Sequence, residues 1–358
     1  GAGGIVGYNK SGAKVTTSYF EGIRIHADQA VGGIVGINAG EVSYCYSNGR
    51  YVSSISSRSY VAGRKEVGGI VGRLESTFPS GTKECNVTTY YRSPGEYRVE
   101  IQNPNVNETQ IMVKNNSGVY VIIPSINKTF KVNSSWPENM SYPYLLQSLS
   151  NDIVQDSNLR TTTEGKSTIV ELKAKLFTED ETTTQKIIFD ENKMPKEVLI
   201  YDGNKNLLTK FVITSIEQNP TLTNELFNVS ESLETLYTYY ENNPIEFVRT
   251  VSYPTYFPEG TSLKEETITG TSLNKLAIMK FGGECSYTIV QQFVNLTTDA
   301  TTEYVNGSIY LMGGAFVFVN SNNIQFYENG IEYTIASNDI SCLEMIKMGE
   351  SLKSKEDK

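Results

Sequence analysis

After about Lys83 the chain alternates apolar and polar residues in short runs broken by Asn, Gly and Asp, the period-two signature of half-buried strands. Tyr97, Val99 and Ile101 alternate with Arg98 and Glu100; Ile111 and Val113 follow, then Val119, Val121 and Ile123, and later Ile187, Ile188 and Phe189. Tight hairpins are predicted at Asn115-Asn116-Ser117-Gly118 and at Asp202-Gly203-Asn204-Lys205, where Asp-Gly would supply a positive φ. Near Pro143–Ile153 the period changes, and Tyr144, Leu145, Leu146, Leu149 and Ile153 recur at helical spacing. A series of meandering strands around one helix predicts a curved, open antiparallel sheet.

The first fifth of the chain reads differently. Gly-Gly-Ile-Val-Gly occurs at Gly3–Gly7, Gly32–Gly36 and Gly68–Gly72 and nowhere later. Such periods belong to stacked repeats, with glycines for close backbone approach and a β-branched Ile-Val pair for burial. The second copy, Gly32 to Gly49 with Tyr44-Cys45-Tyr46 near its end, resembles the GLUG repeat of bacterial surface proteins and secreted peptidases. The first copy has Tyr19-Phe20 in place of Cys-Tyr, and the third loses its downstream half after Arg73. The resemblance implies β-solenoid rungs outside the cell that pack and do not catalyse.

Composition narrows the function classes. The 358 residues are 39% hydrophobic, enough for two or three domains with cores, and carry a net charge of −9 with no basic cluster, which argues against nucleic acid. No apolar run is long enough to cross a membrane as a helix, and an export signal is expected to lie outside this sequence. Cys45, Cys85, Cys285 and Cys342 have no CxxC spacing, so free buried thiols are expected and no metal or cofactor is. The single histidine, His26, has no nucleophile elbow nearby, and no G-x-S-x-G, HExxH or P-loop is present. Glu179-Asp180-Glu181 and Asp190-Glu191 lack the alternating spacing of a metal loop and read as solvated turns. No catalytic residue is assigned, and an enzyme is not expected.

Over roughly residues 84–230 the order of elements resembles the LolA-like lipoprotein-carrier fold. The pieces that carry it are Tyr91-Arg92-Ser93-Pro94-Gly95-Glu96-Tyr97-Arg98-Val99-Glu100, Gly118-Val119-Tyr120-Val121-Ile122-Ile123-Pro124, Asn192 to Asp202, and Asn224-Glu225-Leu226-Phe227-Asn228-Val229. The resemblance implies an open half-barrel whose concave face takes an acyl chain or a protein partner, with Arg98 hydrogen-bonding the lid over it. The bland alternative is Arg98 paired with Glu96 or Glu100. The expected lining is Tyr97, Val99, Ile111, Val113, Val121, Ile123 and Phe130, although alternation leaves open whether the opposite set, with Tyr120 and Ile122, faces inward. The fold's usual first helix and strands are missing before Cys85, so either the repeats supply replacement strands or unrelated pieces are joined.

After a linker at Tyr239–Pro244, Val251-Ser252-Tyr253-Pro254-Thr255-Tyr256-Phe257-Pro258-Glu259-Gly260 resembles the opening of a small domain of Gram-positive envelope and sporulation lipoproteins. Ser341 with Glu344 forms a capping box for a final helix, Leu343, Ile346 and Leu352 would face the sheet, and the Lys-Ser-Lys-Glu-Asp-Lys tail would fray. A half-barrel followed by a smaller domain is also the layout of RseB-like regulators of anti-sigma proteins.

The expected fold is thus mainly β with some α+β character: a glycine-repeat region over 1–78, a half-barrel with a helix over 79–232 and a small α+β domain over 240–358. The expected function is that of a non-catalytic, extracytoplasmic envelope protein, secreted or lipid-anchored. It would bind an acyl chain or an envelope protein, such as an anti-sigma-like protein or a cell-wall enzyme, in sporulation or germination. The alternative is an adhesin-like surface protein whose repeats are the working part.

Overall fold

The computed structural model describes residues 70–354 apart from 79–80, 93–94, 104–107, 134–139, 177–182, 218–221, 246, 248–249, 273 and 295–298. Before residue 70 it describes 2–3, 6–9, 13–16, 19–20, 24–26, 31–32, 35–38, 41–43, 46–47 and 60–62. The chain forms two compact units, residues 1–71 with 215–218, and residues 72–214 with 219–358.

In the first unit short strands pair in parallel. Gly3 lies opposite Gly32 and Val6 opposite Val35, one repeat apart. Lys14 meets Glu41, Tyr19 meets Tyr46, and Arg24 meets Tyr60. The start of the first copy therefore stacks on the start of the second at the 29-residue repeat spacing, as in a solenoid, while the later strands pair at offsets of 27 and 36 residues. Cys45 and the side chain of His26 lie outside the described residues.

From residue 70 on, the strands are β1 (Ile70–Phe78), β2 (Gly81–Arg92), β3 (Glu96–Asn103), β4 (Glu108–Asn115), β5 (Gly118–Ile123) and β6 (Lys128–Val132). Helix α1 (Leu146–Gln155) follows, then β7 (Arg160–Glu164), β8 (Ser167–Lys173), β9 (Thr184–Phe189), β10 (Pro195–Tyr201), β11 (Leu207–Ile216) and helix α2 (Val229–Asn242). The C-terminal part comprises β12 (Ser252–Pro254), β13 (Thr261–Thr269), β14 (Leu276–Gly283), β15 (Tyr287–Phe293), β16 (Thr301–Val305), β17 (Ser308–Met312), β18 (Ala315–Val319), β19 (Asn323–Glu328), β20 (Ile331–Ala336), α3 (Cys342–Glu350) and β21 (Leu352–Ser354).

Twelve strands form one open sheet in the order β7-β8-β9-β10-β11-β1-β2-β3-β4-β5-β6-β16. Ile70, Val71 and Gly72 of the third glycine copy are the first residues of β1, a strand of this sheet within the 1–78 span expected for the repeats. Strand β16 comes from the C-terminal part and pairs in parallel with β6, Lys128 opposite Thr301. Seven strands form the second sheet, β13-β14-β15-β20-β19-β18-β17, and α3 packs on β19 and β20.

Local signals fare well where the chemistry is local. The turn after Asn115 closes on Gly118 at φ 137°, and Ser341 Oγ accepts the Glu344 amide at 3.2 Å. The second hairpin differs from expectation. Lys205, not Gly203, takes the left-handed φ of 64°, and Asp202 Oδ1 holds the loop by accepting the amides of Asn204 and Asn206 at 2.9 and 2.8 Å. Asp190 caps a turn in the same way, while Glu179–Glu181 lie outside the described residues. The expected linker at Tyr239–Pro244 is in large part the end of α2. The tail does not fray at once: Lys353 and Ser354 pair with Tyr253 and Ser252.

Candidate functional site

Strand register decides which side chains share a face of the larger sheet. Val99 lies opposite Met112, Met112 opposite Val121, and Val121 opposite Phe130. Arg98, Val113, Tyr120 and Lys131 form the set one residue along, with Glu100, Ile111, Ile122 and Thr129 on their face. The expected lining is therefore split. Tyr97, Val99, Val121, Ile123 and Phe130 share one face; Ile111 and Val113 belong to the other, with Arg98 and Ile122. Met112, which the sequence reading passed over, holds the position on the first face.

That first face is the inner one, because side chains from both halves of the sheet meet there in a single cluster. Val99, Val121 and Phe130 join Val170, Ile187, Val198 and Phe211 from the far strands. The space they enclose is filled by the chain itself. Tyr142, Tyr144, Leu145 and Leu149 enter from α1 and the segment before it; Ile309, Leu311, Phe316, Phe318 and Tyr327 enter from the second sheet. The Phe130 ring lies 5.3 Å from Phe318 and 4.9 Å from Tyr327, and Tyr144 meets Phe211 edge-on at 6.5 Å. A void beside Tyr142, Tyr144, Thr209 and Tyr310 measures about 10 Å³, space for one water and not for an acyl chain.

Strand β18 explains how this seam forms. All five of its residues are buried: Phe316 and Phe318 enter the inner face of the larger sheet, while Val317 and Val319 pack toward α3. Buried Gln110 of β4 closes the seam by hydrogen bonds, its Nε2 donating to Tyr327 O at 2.8 Å and its Oε1 accepting the Phe316 amide at 3.0 Å. Charged groups lie beside it, Glu108 and Glu350 buried and Lys83 partly exposed. Lys83 Nζ lies 3.1 Å from Glu328 and 3.4 Å from Glu350, and the Glu108 carboxylate accepts the Ser125 hydroxyl at 2.5 Å. Burial pushes the Glu108 and Glu350 carboxyls up to about 7. Burial pulls the Lys83 ammonium down, but Glu328 and Glu350 outweigh it and hold it above the ordinary lysine range.

The outer face is covered by α2 and the turn before it. Phe227 and Leu233 pack on Ile111, Val113 and Ile122. Arg98, 6% exposed, is the centre of this seat: Nη1 donates to Leu226 O at 2.9 Å and Ser232 Oγ at 2.6 Å, while Nε donates to Glu100 at 2.6 Å. The arginine thus both pairs with Glu100 and pins a helical segment, but that segment lies over the face opposite Phe130. Asn115 Nδ2 donates to Phe227 O at 2.9 Å, and the Arg92 guanidinium stacks 4.5 Å over the Phe227 ring. The sequence reading missed α2, although Asn228 caps it by accepting the Glu231 amide and Val229, Leu233, Leu236 and Tyr240 recur at helical spacing.

An open polar cleft of about 410 Å³ lies at the end of α1, lined by Asp152, Asp156, Arg160, Glu171, Lys173 and Lys175 among others. Among the described residues no cluster of three His, Cys, Asp or Glu side chains could hold a metal, and no helix is long and apolar enough to cross a membrane. Cys85, Cys285 and Cys342 are free thiols.

Residues 82–230 match the family described as outer membrane lipoprotein carrier protein LolA. Sporulation protein YdcC of Bacillus subtilis (strain 168) is 28% identical over 301 residues, covering 82% of this chain and 88% of that protein, so the likeness extends beyond the LolA match. Among solved structures, MucB in the MucA/MucB complex of Pseudomonas aeruginosa aligns with a TM-score of 0.30 at 11% identity, over 80% of this chain and 93% of that one. A LolA superfamily protein from Nitrosomonas europaea aligns with a TM-score of 0.27 at 10% identity, over 45% of this chain and 89% of that one. Residues 82–230 are accordingly a LolA-like domain in a chain related in sequence to a sporulation protein.

Proposed function

We propose that this is a non-catalytic protein of the bacterial cell envelope that acts by binding another protein during spore formation, its LolA-like sheet serving as a scaffold and not as a lipid carrier. The observation that carries this reading is the filled inner face. An acyl chain needs an elongated apolar cavity, and a drug-sized ligand site spans several hundred Å³; here Tyr144, Phe318 and Tyr327 pack into the inner face, and the void beside Tyr144 is about 10 Å³. Tyr97, Val99, Val121, Ile123 and Phe130 then serve as core, and Arg98 as the anchor of α2. The relation to a sporulation protein supports the cellular setting, and the LolA likeness supports an extracytoplasmic place.

Native mass spectrometry of the whole chain, purified from a bacterial host and gently activated, tests the reading. The expected spectrum shows the mass of the chain or a whole multiple of it, with no added ligand mass. A stoichiometric fatty acid or phospholipid, released on activation, would overturn the scaffold reading and restore lipid carriage.

A further inference from the structure

Strand β7 ends the larger sheet, and every one of its residues, Arg160-Thr161-Thr162-Thr163-Glu164, is exposed. An exposed edge of this kind offers a row of unpaired amides and carbonyls to another strand. Its hairpin with β8 turns through Gly165 and Lys166, with Gly165 at φ 59°, so Glu164 and Ser167 are the hydrogen-bonded pair that closes a two-residue turn. Along β7 the backbone groups of Arg160, Thr162 and Glu164 therefore face β8, and those of Thr161 and Thr163 face outward.

An outward-facing residue must meet an outward-facing one, so this strand can pair antiparallel with its own copy only about a residue. Centred on Thr162, the pairing sets Thr161 against Thr163 in two hydrogen-bonded pairs and brings Arg160 against Glu164 at both ends, in the closer non-hydrogen-bonded positions. Neither Arg160 nor Glu164 has an ion-pair partner within the described chain. Two other sheet edges carry a charge already engaged within the chain: Glu303 of β16 pairs with Lys128 at 2.7 Å, and Glu265 of β13 with Lys280 at 3.0 Å beside a bulge. Charges and irregularities of that kind blunt an edge.

We infer that β7 is a self-association edge, through which two copies of this chain pair antiparallel about Thr162 and join their large sheets into one. The interface is isologous, the same five residues on both sides, and closes at two copies. Its specificity comes from the two Arg160–Glu164 pairs and its affinity from four backbone hydrogen bonds, so a weak dimer that forms with rising concentration is expected.

Sedimentation velocity of the whole chain from about one to a hundred micromolar tests this. Wild type is expected to shift to twice the monomer mass with rising concentration. R160E and E164R should each weaken the dimer at least tenfold, and R160E/E164R should restore it, a swap that a merely structural role would not rescue. T163P, which removes an outward amide only, should give a monomer with an unchanged circular dichroism spectrum. Mild oxidation of T162C should yield a covalent dimer absent from wild type, since the Thr162 positions of the two copies lie within disulfide reach. A monomer at every concentration, a dimer indifferent to R160E and T163P, or a T162C chain that does not cross-link would each overturn the inference.

Discussion

Arg98 shows how one side chain can fix the position of an element far away in sequence. Its three hydrogen bonds reach Glu100 on its own strand and Leu226 and Ser232 on the segment that covers the outer face. Removing one member of a buried charged network strands the others, so R98M is expected to cost about 3 kcal/mol in urea unfolding and to raise amide exchange across 226–240 above the rest of the chain. Tyr144 makes the opposite case: its hydroxyl is buried without a hydrogen-bond partner. Y144F should leave stability unchanged or raise it by up to about 1 kcal/mol, and a loss beyond that would reveal a bond to the hydroxyl. Glu108 and Glu350 give a pH dependence. Burial raises both carboxyls from the ordinary 4.5 to about 7. Between those values the folded chain holds protons that the unfolded chain has released, so this stability is fully present below about 4.5 and is lost as the pH rises through about 7. Each group contributes on the order of 3 kcal/mol at most. Urea midpoints should therefore increase from pH 8 to pH 5.5, and E350Q should flatten the increase; equal midpoints in the wild-type protein would exclude it.

At the scale of elements, α2 depends on a cap and a stripe. N228A removes the acceptor for the Glu231 amide and should cost about 1 kcal/mol, whereas L233A removes a side chain buried against Ile111, Val113 and Ile122 and should cost about 2–4 kcal/mol. Double-mutant denaturation curves check the ranking, and a costlier cap than core residue would refute it. The same element marks where sequence reading stops. The Asn115–Gly118 turn, the helix near Pro143 and the Ser341 cap were legible because each is decided by a few neighbouring residues. The face of β4 was not. Ile111-Met112-Val113 is apolar at three successive positions because the strand is buried on both sides, under α2 and under the inner cluster, and an unbroken run carries no period of two. Choosing Ile111 and Val113 as lining followed β-branching; register with Val99 and Val121 selects Met112. Helix α2 hid in a tyrosine-rich stretch whose apolar stripe begins inside a motif already assigned to the last strand.

The whole molecule adds what no local pattern contains: the occupant of the half-barrel is the chain's own C-terminal part. Phe316, Phe318 and Tyr327 lie about two hundred residues from the strands they fill, and β16 extends the larger sheet beyond β6. Removing residues 243–358 would therefore expose Phe130, Val121 and Ile123 on one face and leave the β6 edge unpaired, a combination that favours aggregation. A chain ending at Asn242 is expected to bind a hydrophobic dye and to unfold without a sharp transition, while the intact protein shows one cooperative transition for residues 72–358 by calorimetry. Separate transitions for the two sheets, or a well-folded truncated chain with a sharp melt, would mean that the seam is a loose contact between independent domains. In that case the inner face could open to a ligand, and the scaffold reading would lose the observation that carries it. One shared transition would instead tie any partner that loosens α2 or the Lys83–Glu350 seam to the packing of the entire second unit, because the inner cluster draws its residues from both sheets.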